Sequence, residues 1–191
     1  MKKMDKLTIF LIPIGIAINF VGGQLAVLLK LPVFLDAIGT IVVGALCGGL
    51  PGAIVGLGSN LINAISLPTL LPYAIINITF GFMAGYLSKK GMFTIVNGLI
   101  YAVVACSMAV PITVLLYGGF VGTGASVIVT TLMAAGWGVV PATIASELSA
   151  ELMDKIITLI MCFFILKSMP MRFLVKLPLG NYYMKEENTE A

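Results

Sequence analysis

The sequence contains no histidine at all. That excludes a Ser-His nucleophile pair and any imidazole-built metal centre. Its three cysteines, Cys47, Cys106 and Cys162, stand singly in apolar segments with no C-x-x-C, so paired-thiolate metal sites are excluded too and the metal ligand set is empty. No Walker A motif and no G-x-S-x-G occurs, so the chain has no visible means of hydrolysing ATP or of acyl transfer, and it reads as a non-enzyme. The basic residues form no stripe of the kind that tracks nucleic acid.

Charge is scarce as well. Charged residues make up 10% of the chain against 60% hydrophobic ones, where a soluble domain carries about 25% charged. Mean hydropathy is +1.11. No charge occurs in 7–29, 37–88 or 91–146, runs of 23, 52 and 56 residues, and a spanning helix needs only about 20. A domain of this size leaves much of its surface wet, so such a chain needs an apolar solvent. The expected class is all-α, an integral membrane bundle.

The few charges set the expected topology. Lys2, Lys3 and Lys6 open the chain, and Lys167, Arg172, Lys176 and Lys185 close it. By the positive-inside rule both termini are cytoplasmic, and so is the interior pair Lys89-Lys90. The leading basic run precedes a long apolar stretch with no short h-region and cleavage site, so it reads as a retained first helix. An even count before and after Lys89-Lys90, with breakers at Gly48-Gly49-Leu50-Pro51-Gly52 and Ser66-Leu67-Pro68-Thr69, gives six transmembrane helices. They are expected at about 7–29, 34–47, 51–65, 71–88, 92–117 and 152–166, within one domain over 1–170 followed by a cytoplasmic tail, 171–191. The apolar segment 124–150 is expected to be external or re-entrant. A seventh span there would place Lys167, Arg172 and Lys176 outside, and irregular backbone at that depth must be buried in protein or line a cavity.

Polar residues at membrane depth mark functional sites or bind helices together. Asn19, Gln24, Thr40, Asn60, Asn63, Asn77 and Asn97 are the candidates. Asn60 and Asn63 share a helix face, and their amides both donate and accept hydrogen bonds. Asp36 opens the second expected span, and Glu147, Glu151 and Asp154 begin the last on the external side, Glu147 and Glu151 one turn apart. They are either solvated helix ends or carboxylates at the mouth of a cavity, suited to a cationic or hydrogen-bond-donating ligand. Tyr73, Tyr101, Tyr117 and Trp137 either anchor at the interface or stack on a planar ring. Small residues recur at four-residue spacing, as in Gly22 with Ala26, Gly52 with Gly56 and Gly81 with Gly85, and serve packing within the bundle or docking to a partner.

Three stretches and one residue pair resemble the substrate-binding S components of energy-coupling factor (ECF) transporters. They are Gly15-Ile16-Ala17-Ile18-Asn19-Phe20-Val21-Gly22-Gly23, then Leu29-Lys30-Leu31-Pro32-Val33-Phe34-Leu35-Asp36-Ala37-Ile38-Gly39-Thr40, then Gly48-Gly49-Leu50-Pro51-Gly52-Ala53-Ile54-Val55-Gly56, with Asp154-Lys155 later. The look is closest to the hydroxymethylpyrimidine or pyridoxine type. The resemblance implies a multi-pass protein of a bacterial cell membrane that captures a small vitamin or precursor outside. It implies delivery inward with a membrane scaffold subunit (EcfT-like) and two ATPase subunits, ATP being used by those partners and no cofactor by this chain. The first external loop, Lys30–Asp36, closes over the ligand, and Gly15, Ala17, Gly22 and Ala26 stand where members dock; Asn19 replaces the second small residue of the usual docking pair. The alternative function is a membrane sensor domain for a small ligand.

Overall fold

A computed structural model describes residues 5–90 and 95–184 of the chain. Lys2, Lys3, Lys185, the first residues of the expected 92–117 span and the end of the expected tail lie outside the described residues. The long helices are α1 (Lys6–Leu28), α2 (Ile38–Cys47), α3 (Gly49–Ser66), α4 (Ala74–Leu87), α5 (Ile95–Tyr117), α6 (Gly124–Ala134) and α7 (Val139–Ser168), followed by the single turn α8 (Met171–Leu174). Three 3-10 turns join them, Pro68–Tyr73, Ser88–Lys90 and Gly180–Tyr183, and there is no strand among the described residues. Three segments are long and apolar enough to cross a membrane: Lys6–Leu28, Pro68–Leu87 and Val96–Tyr117. Ile38–Cys47 and Gly124–Ala134 are shorter apolar helices.

The polarity is inverted relative to a soluble fold. Phe10, Leu28, Ile65, Leu115, Phe164 and many other large apolar side chains are exposed, while Asn19, Thr40, Ser59, Asn60, Asn63, Asp154 and Lys155 are buried. Helix α7 shows this most clearly: Val140, Ile144, Leu148, Met153, Ile156 and Ile160 face out, and Glu147, Glu151, Asp154 and Lys155 face in. Such an arrangement is stable only where the surrounding solvent is apolar.

Helix α2 is the centre of the bundle. Every residue from Ile38 to Cys47 is buried, packed by α1, α3, α4 and α7. At 1.5 Å per residue it is about 15 Å long, half of a hydrocarbon core. Its amino end therefore starts deep in the bundle, and Asp36 and Ala37 sit there with it. That end is closed from a neighbouring helix: Asn19 on α1 accepts the Gly39 amide at 2.6 Å and donates to Thr40 at 2.8 Å and to Ser59 on α3 at 2.9 Å. A helix start leaves amides without intrahelical partners, and Asn19 supplies one across the interface.

The α3–α4 contact is made by glycines. A Cβ on Gly81 would lie 2.2 Å from the Ala53 amide nitrogen, and one on Gly85 would lie 2.2 Å from that of Gly49. The spacings Gly52/Gly56 and Gly81/Gly85 thus serve packing within the chain, which allows backbones to approach closely.

Helix α1 ends in a Schellman arrangement. Leu31 donates to the Ala26 carbonyl and Lys30 to that of Val27, with Lys30 in the left-handed conformation at φ 50°. The loop that follows dips into the bundle. Leu35 is left-handed as well, at φ 53°, an uncommon state for a branched apolar residue.

Two sets of contacts define two ends. Ser88 donates to the Ala45 carbonyl, Tyr183 to Ser88, and the Leu179 amide to the Leu46 carbonyl. Gly15 meets Val43 while Gly23 meets Asp36, so α1 and α2 are antiparallel and the Lys6 end lies beside Cys47. The start of α1, the turn before α5 and the segment after α7 therefore share one end. At the other, Thr69 donates to the Val121 carbonyl, and Gly124 packs on the Leu31 carbonyl.

Some boundaries differ from the sequence reading. The expected last span, 152–166, is the inner part of the single 30-residue helix α7, which begins at Val139. The segment 124–150 is accordingly divided into α6, an exposed turn at 135–138 and the first turns of α7. Ser146 donates to the Ala125 carbonyl, so α6 and α7 form a helical hairpin. The helix continues through Glu147 and Glu151 because both face inward, where they have partners. The expected tail is not detached from the bundle in its described part, since Leu174 and Leu177 are buried.

Candidate functional site

A cavity opens where α4, α5 and α7 meet beneath the 29–37 loop. Its empty space, mouth included, is about 490 Å³, and Phe34, Asp36, Tyr73, Ile76, Asn77, Phe80, Thr123, Glu147, Glu151 and Lys155 line it. Each polar wall comes from a different element. Asp36 stands at the base of the loop, Asn77 one turn into α4, and Glu147, Glu151 and Lys155 on the inward stripe of α7. The α7 spacing is i, i+4, i+8, which keeps one face.

The cavity has a charged floor. Lys155 pairs with Glu151 at 3.0 Å and with its neighbour Asp154, and its ammonium lies 4.6 Å from the centre of the Phe80 ring. Asp154 also holds the loop, its Oδ1 accepting the amides of Phe34 and Leu35 at 2.9 and 2.8 Å. Lys155 is 2% exposed and Asp154 0%. Ions so deeply buried need pairing and hydrogen bonds to offset lost hydration, and these two have both.

The wall at α5 is a hydrogen-bonded chain. The Tyr73 hydroxyl lies 2.6 Å from the Thr113 hydroxyl, which donates to Glu147 Oε1 at 3.0 Å. The other oxygen of Glu147 has no hydrogen-bond partner, although the residue is only 4% exposed. A second row runs through the amides. Asn77 donates to Asn60 at 2.6 Å and to Asp36 at 3.3 Å, while Asn60 donates to the Leu70 carbonyl at 3.0 Å. Asn77 Oδ1 is buried without a partner. Asn63 accepts from Gln24 at 3.2 Å and lines an adjoining recess with Gly23 and Asp36.

The structure thus brings together Asp36, Tyr73, Asn77, Glu147 and Glu151 around one cavity, with Asn60, Asn63 and Gln24 in the layer behind. It corrects the solvated-end reading of the two glutamates, which are buried within α7. It does not bring Thr40 to the cavity, since that hydroxyl is engaged by Asn19 in the bundle centre. Tyr117 stacks on Tyr73 at 6.5 Å and 11° and supports that wall from outside. Trp137 lies at the tip of the α6–α7 hairpin, 49% exposed, away from the cavity. Among the expected docking residues, Ala17 alone is exposed. Gly15 packs on Gly39 and Val43, Gly22 under the Leu35 carbonyl, and Ala26 is buried, because the loop and α2 need the backbone of α1 close.

Lys155, Thr113, Phe34 and Phe80 were not among the expected site residues, and Asp154 was expected only as one of the carboxylates at the external start of the last span. The i, i+4, i+8 stripe of Glu147, Glu151 and Lys155 is the one sequence signal that points to part of this set. Among the described residues no group of three His, Cys, Asp or Glu side chains is placed to hold a metal ion. No known protein family, curated protein or solved structure matches the chain.

Proposed function

We propose that the chain is the substrate-binding subunit of an ECF-type uptake transporter in a bacterial cell membrane. It captures a small vitamin or precursor from outside and passes it inward with a scaffold subunit and two ATPases. The observation that carries the reading is the cavity itself: a buried constellation of Asp36, Asn77, Glu147, Glu151 and Lys155 inside a bundle whose surface is apolar. Few directed polar groups in a mostly apolar wall are the usual form of a small-molecule site. Six traversals, α1 to α5 and α7, with both termini cytoplasmic, agree with the basic residues toward each end of the sequence and with the shared position of the start of α1, Lys89 and the segment after α7 in the fold. The α6–α7 hairpin and the 29–37 loop then lie outside, over the cavity. The face available for a partner is the exposed stripe of α1 at Phe10, Ile14, Ala17 and Val21.

The test is reconstitution. In liposomes the chain alone is expected to show saturable binding of its co-purified small molecule and no accumulation. Together with a scaffold and ATPase pair from the same cell, accumulation should follow ATP hydrolysis. Uptake by the pure chain driven by a proton gradient would overturn the reading. Ligand binding together with co-purification of a signalling partner, and no ATPase, would favour the sensor function.

A further inference from the structure

The charge balance of the cavity specifies its ligand more closely. Four carboxylates, Asp36, Glu147, Glu151 and Asp154, share this interior with one cation, Lys155. Lys155 is committed to Glu151 and Asp154, and Asp154 is further satisfied by two backbone amides. Neither Asp36 nor Glu147 forms an ion pair among the described residues: Asn77 and Thr113 give each a neutral side-chain donor, and Lys155 acts on Asp36 only at longer range. Buried carboxylates without a counter-charge are costly. The unused atoms that line the cavity itself are acceptors, while one unused donor, Asn63 Nδ2, lies in the adjoining recess. Glu147 Oε2 and Asn77 Oδ1 are buried acceptors with no donor, and Asn77 is a neutral amide outside the carboxylate set. The rings of Phe34 and Tyr73 line the same cavity.

From this arrangement we infer that the cavity takes a small, flat organic cation with several N–H donors, of the amidinium or protonated aminoheterocycle class. Its charge is set between Asp36 and Glu147 and its face against Tyr73. The inference rests on the binding-subunit reading and narrows it. Protons on Asp36 and Glu147 would serve the same electrical end, but they would leave the Asn77 carbonyl without a donor.

The experiment uses three isosteric probes: benzamidinium, benzamide and benzoate. Each is titrated by calorimetry into the full chain in lipid nanodiscs, with empty nanodiscs as blank. The cation is expected to bind at least about tenfold more tightly than the neutral amide, and benzoate not at all, since charge-assisted hydrogen bonds are roughly twice as strong as neutral ones. Glu147→Gln and Asp36→Asn, which keep shape, should each weaken the cation about tenfold and leave benzamide unchanged. Trp137→Phe, outside the cavity, should change nothing. Equal or tighter binding of benzamide or benzoate, binding by none of the three, or indifference to both isosteric changes would overturn the inference. A neutral or anionic preference in a chain that still drives uptake with its partners removes the charge class alone. A cationic preference without ATP-linked uptake removes the transporter alone.

Discussion

Asp154 Oδ1 lies 2.8 Å from the amide of Leu35, a residue 119 positions away whose φ is 53°. One carboxylate therefore fixes a left-handed turn of the loop above the cavity and pairs with the cation in its floor. Roof and floor are coupled through a single side chain. Asp154→Ala would strip Lys155 of one of its two partners and free two loop amides. Loss of one member of a buried ion pair costs about 3–5 kcal/mol. The expected result is a large fall in the thermal unfolding midpoint in detergent, with faster amide exchange at residues 34 and 35. A variant melting like the wild type would show that the pair is dispensable.

Gly22 and Ala17 lie on different faces of α1, so they separate two roles. A Cβ on Gly22 would lie 2.1 Å from the Leu35 carbonyl, and Gly22→Ala should therefore displace the loop and weaken ligand binding by the isolated chain. Ala17→Leu faces outward and should leave that binding intact while reducing uptake by the assembled complex. Measuring affinity and uptake for both variants checks the assignment; the opposite pattern would put the docking face on the Gly22 side.

Asn19 contributes to cohesion and not to the ligand. Its amide serves Gly39, Thr40 and Ser59 on two other helices. Asn19→Ala leaves the Gly39 amide and the Thr40 hydroxyl without these partners, at about 1–3 kcal/mol for a buried unsatisfied group, while Ser59 keeps its bond to the Val55 carbonyl. The denaturation midpoint should fall, and affinity in the folded fraction should stay within about twofold of wild type, since RT ln 2 is small beside one hydrogen bond.

Sidedness is open to direct measurement. In a background with Cys47, Cys106 and Cys162 replaced by alanine, single cysteines at Lys89, Pro178 and Trp137 occupy exposed positions. An impermeant maleimide applied to intact cells should label position 137 and spare 89 and 178. Labelling at 89 would reverse or break the proposed six-traversal topology.

The thinness of charge made the helical, apolar character legible in the sequence, and the Gly-Pro breakers located the α2–α3 and α3–α4 junctions within a few residues. Asp36, Asn77, Glu147 and Glu151 were legible because ionised or amide groups at membrane depth are rare. The start of α7 was not. Hydropathy reads Glu147 and Glu151 as a helix end, and only tertiary placement reveals that they sit mid-helix on an inward face. Hydropathy likewise gives no reason to place Lys155 inside, where Asp154 and Glu151 hold it. Thr40 and Gly22 illustrate the converse: residue type made them candidates, and packing on α1 and the 29–37 loop used them up.

Helix α2 touches no lipid, and this bears on how the protein comes into being. Its last wall, α7, is synthesised roughly a hundred residues after it, at a ribosomal pace of about 5–20 residues per second. For several seconds the nascent chain holds Asp36 and the backbone of Phe34 and Leu35 without the carboxylate that later receives them. The cavity is thus completed late in synthesis, and a product cut short before Asp154 would hold the earlier helices without the charged floor that α7 supplies.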